Sequence, residues 1–183
     1  MKLGDAAALY AGSTAVERVL LGAEQVWPAG EPPGPVEQVR HLAAMSNWAG
    51  SAADVAAVDG VYVTSSGTTT ATGALALDTP FAVPVGATGL TVGFRMRYRL
   101  GASGSAIIRP GLSGTQQIPT PGATTSTAWV DFVYDSEVDI SGSPWTVASI
   151  NAIEAGYFRQ YANATAVPVH VDYFAVVAKY TPS

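Results

Sequence analysis

Glycine and proline punctuate this chain so closely that only short regular segments fit between them, with 19 and 12 of them spread through 183 residues. Gly supplies the positive-φ positions of tight turns, and Pro removes the donor that a helix interior or a continuous ladder needs. A chain so interrupted favours many short strands joined by turns. The residues in between agree: Val, Thr, Ser, Ala and aromatics are common, while the Leu, Glu and Lys that sustain long helices are sparse.

Hydrophobic residues make up 48% and charged residues 13%, against the roughly 25% charged of ordinary soluble domains. Such a chain can bury an ordered core. A net charge of −5 with nine Lys and Arg argues against a surface built to neutralise nucleic-acid phosphates. With no cysteine, neither disulfides nor thiolate metal sites hold the fold. Gly4, Asp5 and Gly12 interrupt the opening residues, so no secretion signal is expected. Gly, Pro or charge also breaks every candidate for the roughly 18 apolar residues of a membrane span.

Three expected parts follow along the chain. In residues 1–27 a short unit recurs, with Leu3-Gly4-Asp5, Ala11-Gly12-Ser13 and Leu21-Gly22-Ala23 each placing a glycine between apolar runs. This predicts tight β-hairpins in a unit too small to bury its own apolar face. Residues 28–35, Pro-Ala-Gly-Glu-Pro-Pro-Gly-Pro, read as a semi-rigid linker. Residues 36–183 form the body.

In the body, residues 91–100 alternate cleanly, with Arg95, Arg97 and Arg99 on one face. Residues 129–135 do the same, with Asp131 and Asp135 opposite Val130, Phe132 and Tyr134. Further strands are expected at 61–64, 74–77, 81–85, 106–109 and 167–180, while 36–45 is ambiguous between helix and strand. One short helix is expected after Thr146 as N-cap, carrying Val147, Ile150 and Ile153 and stopping at Gly156. About eight strands with one wet face predict an all-β, jelly-roll-like antiparallel β-sandwich with an N-terminal hairpin unit and one short helix.

The segment Leu9-Tyr10-Ala11-Gly12-Ser13-Thr14-Ala15-Val16-Glu17-Arg18-Val19-Leu20-Leu21-Gly22-Ala23-Glu24-Gln25-Val26-Trp27-Pro28 resembles segments at the ends of minor tail and tail-tip proteins of tailed phages that infect actinobacteria. The run from Trp145 to Ile153, followed by Val169 to Val177, is similar to phage β-sandwich domains in which a short helix feeds a last long strand. The resemblance implies a structural component of the virion, placed in the tail in preference to the capsid and released by lysis. It carries no catalytic residue across. The partners it implies are other virion proteins, with a homo-oligomer, a trimer in particular, as the expected assembly.

Searched for chemistry, the residues yield little. The only histidines are His41 and His170, and there is no Gly-x-Ser-x-Gly elbow or phosphate loop. Asp131, Asp135, Glu137 and Asp139 lie close enough in sequence to suggest a glycosidase pair or a calcium site. A charge ladder with Arg95, Arg97 and Arg99 is the simpler account, and no Asp-x-Asp-x-Asp-Gly loop is present. The Asn163-Ala164-Thr165 sequon carries no weight.

Two uses of the surface are expected. Leu21, Val26 and Trp27 are candidate assembly anchors, because large apolar groups on so small a unit mark an interface. Trp48, Trp129, Trp145 and Tyr161 are candidate glycan contacts, each weighed against burial in the core. The function expected is therefore a non-enzymatic virion protein without cofactor, nucleic-acid or membrane partner. A host cell-wall glycan adhesin and a capsid decoration protein are the alternatives.

Overall fold

The computed structural model describes residues 34–66, 70–71, 75–112, 116–117, 124–162 and 167–183, together with the paired strands at 10–11, 14–15, 19–21 and 24–27. It is an antiparallel, all-β sandwich. Strands β1 (Tyr10–Ala11) and β2 (Thr14–Ala15) pair with each other, as do β3 (Val19–Leu21) and β4 (Glu24–Trp27). Two residues separate the partners in each case, Gly12-Ser13 and Gly22-Ala23.

The body contributes β5 (Val36–Arg40), β6 (Val63–Thr64), β7 (Thr70–Ala71), β8 (Leu75–Ala76), β9 (Thr88–Leu100), β10 (Ala106–Leu112), β11 (Gln116–Gln117) and β12 (Val130–Ser136). Helix α1 (Val147–Asn151) follows, then β13 (Ala155–Ala162) and β14 (Val169–Thr181). One sheet runs β12-β9-β14-β5 with β6 also on β14; the other runs β11-β10-β13-β7 with β8 also on β13. With β5/β6 and β7/β8 each taken as one edge position, the eight positions in chain order read 6-3-8-1 and 5-4-7-2. That crossing between facing sheets is the jelly-roll topology. Both sheets are complete without β1 to β4.

The inner faces meet through aromatics. Phe174 of β14 packs on Phe94 of its own sheet and on Phe158 of the facing one, with centroids 6.0 and 5.1 Å apart, and Trp48 stands edge-on to Phe158 at 4.9 Å. Met96, Ile108, Val171 and Val176 complete the middle of this core.

Several local expectations are corrected. The ambiguous segment 36–45 yields strand β5. Residues 81–85 form no regular strand, because Pro80 and Pro84 cannot donate to a ladder. Instead the side chain of Asn151 takes the partner's role, its Oδ1 accepting from Val83 N at 2.8 Å and its Nδ2 donating to Val83 O at 2.9 Å. Thr146 does cap α1, its hydroxyl accepting from Ser149 N at 3.0 Å, but the helix ends at Ala152. Gly156 lies inside β13, a strand the alternation did not reveal, where a Cβ would sit 2.9 Å from Val176 Cγ2 of the facing sheet. Strand β10 runs past the expected 109 through Pro110, which lies opposite Phe158 in the register with β13.

Candidate functional site

The outer face of the β12-β9-β14-β5 sheet carries the charge ladder that the alternation of β9 and β12 requires. Asp135 lies opposite Gly93 and receives Arg95 at 2.9 Å and Lys179 at 2.8 Å, while Glu37 on β5 stands 3.7 and 3.5 Å from the same two cations. Burial raises the Asp135 carboxyl's pKa. The hydrogen bonds and charges of Arg95 and Lys179 together outweigh that, holding it below its ordinary 3.8. Ala175 and Val177 belong to this face by alternation yet are fully buried.

Toward the other end of the face the ladder turns aromatic. Arg99 lies over the Trp129 ring at 4.6 Å and over Tyr62 at 5.4 Å, and Arg97 approaches Trp129 at 5.4 Å. His170, opposite Arg99 on β14, stacks on Tyr62. Burial, and then the Arg99 charge, push the His170 pKa below its ordinary 6.5. A β-bulge between Val171 and Tyr173 takes Asp172 out of the regular register, where it is covered against Arg97 and the Gly60 backbone. There it is 1% exposed, its Oδ1 accepting from Gly60 N at 3.0 Å and its Oδ2 3.6 Å from Arg97 Nε. Rings and cations at this corner are largely consumed by one another.

The outer face of the opposite sheet is differently made. Along β13 Tyr157, Arg159 and Tyr161 share that face, and along β10 Ile107, Arg109 and Gly111 lie directly across from Tyr161, Arg159 and Tyr157. Both guanidinium groups sit 4.7 Å from the Tyr161 ring centroid. The Tyr157 ring lies across Gly111, where a Cβ would come within 2.4 Å of Cζ. Burial and then the neighbouring Tyr161 raise the Tyr157 hydroxyl's pKa, with Arg159 opposing. The phenol is therefore a neutral donor at physiological pH.

The four expected glycan contacts are thus divided. Trp48 and Trp145 are core residues, 6% and 8% exposed, because Phe158 and the surroundings of α1 cover them. That burial corrects the expectation that either could offer a platform. Trp129 and Tyr161 are partly exposed but stand on opposite sheets. Tyr157 and Arg159 share the β13 face with Tyr161, but the buried Gln160 breaks the alternation that would have pointed to them, and nothing local points to Tyr62.

Of the clustered acids, Asp131 stands 3.9 Å from Arg97, and Asp139 accepts from the backbone of Ser141 and Ser143 in a tight turn. Among the described residues no group of three or more His, Asp or Glu is disposed to hold a metal ion. His41 and His170 serve different neighbourhoods, His41 meeting Tyr173 edge-on and His170 lying against Tyr62. Leu21 and Trp27 are paired in the β3–β4 hairpin and Val26 lies in its bulge, while the side chains of all three fall outside the described residues, as does the sequon at 163–165. Compared with models of known families and with curated proteins, the chain matches none.

Proposed function

We propose that this chain is a structural component of a tailed-phage virion, a minor tail protein docked through residues 1–27 with its jelly roll displayed or bridging subunits. The supporting observation is that, among the described residues, both sandwich sheets are assembled from residues 36–181 while β1 to β4 pair with one another as hairpins. Isolated hairpins are marginal in water and gain stability from a covering surface. Leu21, Val26 and Trp27 are the anchors in this reading, the Pro/Gly run 28–35 is the spacer, and a symmetric trimer is the expected assembly. The reading assigns no bond-making chemistry and draws its phage assignment from the resemblance of residues 9–28.

A tagged full-length chain supplied during assembly should enter particles and a tagged 28–183 chain should not, although the latter keeps a β-sheet circular dichroism spectrum. Incorporation of the shortened chain at full-length levels would remove the docking role. Immunogold labelling on the capsid instead of the tail would shift the reading to a decoration protein. A second reading, a host-glycan adhesin, is favoured by the cationic aromatic face of β10 and β13.

A further inference from the structure

We propose that residues 57–62 form a latch on strand β14 that opens in mild acid, with protonation of His170 as the trigger and the rest of the sandwich staying closed. The latch is a property of this corner of the fold and does not depend on a virion location.

The attachment of the segment is the first argument. Residues 57–62 lie between the short helical turn Ala52–Val55 and strand β6, and form no regular strand themselves. Val58 and Val61 are exposed, at 53% and 51%. Two contacts hold the segment on β14: Gly60 N donates to Asp172 Oδ1 at 3.0 Å, and the Tyr62 ring stacks on the His170 imidazole. The hydrogen bond from Val61 N to Asp59 Oδ1, 2.9 Å, is internal to the segment. On either side the chain is fixed, because Val55 and Val63 are fully buried and Thr64 exchanges backbone hydrogen bonds with Ala49 at 2.8 and 2.9 Å. An opening that begins at Tyr62 therefore stops at β6.

The surroundings of His170 are the second argument. Protonation makes both ring nitrogens donors, and Nδ1 is buried without a hydrogen-bond partner among the described residues. An imidazolium in the closed latch thus carries an unpaired buried donor, which lifting Tyr62 opens to water.

Charge acts in the same direction. The charged and titratable groups around the ring are Arg99 directly across on β9, Arg97 farther along β9, the Tyr62 phenol, Asp172 along β14 and Asp131 on β12. Both acids stand by Arg97, at 3.6 and 3.9 Å, while Arg99 meets the Trp129 and Tyr62 rings. A cation on His170 is repelled by Arg99 and shares with it the one Tyr62 ring. Burial and then Arg99 lower the His170 pKa in the closed latch, so opening takes up a proton. The hold is complete above the ordinary 6.5 and weakens as pH falls through the lower closed value.

The test is amide hydrogen–deuterium exchange of the full chain at pH 7.5 and 5, each corrected for the intrinsic exchange rate. Protection across residues 57–62 should fall at least about threefold in acid, while Phe94 and Phe174 in the core strands keep theirs. His170→Phe, which retains a ring without a charge, should remove the response, and His170→Gln takes its place should that variant fail to fold. His41→Phe, at the other histidine, should leave the response intact. So should Asp172→Asn, which keeps an acceptor for Gly60 N. Protection of 57–62 that does not change with pH, an unaltered response in the His170 variant, a response lost in His41→Phe or Asp172→Asn, or loss of protection throughout β9 and β14 at the same pH would each overturn the proposal.

Discussion

The His170 imidazole stacks on the Tyr62 ring with centroids 4.4 Å apart and planes within 16°. Its pKa is held down first by burial and then by Arg99, so protonation favours the unfolded chain. The sign follows from linkage: the contribution is complete above the ordinary 6.5 and is lost as pH falls through the lower folded value. His170→Phe keeps a stacking ring that does not titrate. Urea denaturation from pH 7.5 to 5 should show wild-type stability falling more steeply than that of the variant, and parallel curves would contradict the buried, neutral histidine.

Asp135 gathers Arg95 and Lys179 over the buried Ala175 and Val177. Its folded pKa is lowered, so its stabilisation is present above 3.8 and lost as pH falls through the folded value. Asp135→Asn should cost about 1 kcal/mol at pH 7, since the pair is partly solvated. The difference should vanish near pH 2. Denaturation midpoints at both pH values check this, and an undiminished gap at pH 2 would place the effect in packing instead of charge.

Asn151 closes the 81–85 segment by meeting both backbone groups of Val83. Asn151→Ala leaves that N–H and C=O without partners and should cost about 1–3 kcal/mol. The Val83 amide should exchange with deuterium much faster in the variant. Unchanged protection would mean that burial of Phe81 and Val83 suffices to hold the segment.

The strands that alternation reveals are those with one wet face. Arg95, Arg97 and Arg99 against Phe94, Met96 and Tyr98 mark β9, and Asp131 and Asp135 mark β12. Strand β13 is hidden because Gln160 occupies a fully buried position, where its Nε2 donates to Val167 O at 2.7 Å. A polar residue on the apolar face breaks the period that would identify the strand. The converse error occurs at 81–85, where Phe81, Val83 and Val85 alternate but Pro80 and Pro84 forbid a ladder. For the candidate site, Tyr161 could be named from sequence and its arginine neighbours could not. Arg109 and Arg159 are 50 residues apart in sequence and meet only through the β10–β13 register.

Trp129 holds a structural cluster of rings and cations at one end of the β12-β9-β14-β5 sheet. The Trp129 ring is engaged by Arg99 at 4.6 Å, by Arg97 at 5.4 Å and edge-on by Tyr62 at 5.9 Å, at the end of a sheet where acids compensate most of the charge. Trp129→Ala strips those cations of their ring and should lower stability by about 1–2 kcal/mol. Thermal unfolding of the variant against the parent protein measures this. An unchanged midpoint would mean that Arg97 and Arg99 are held by their acids and strands and not by the ring.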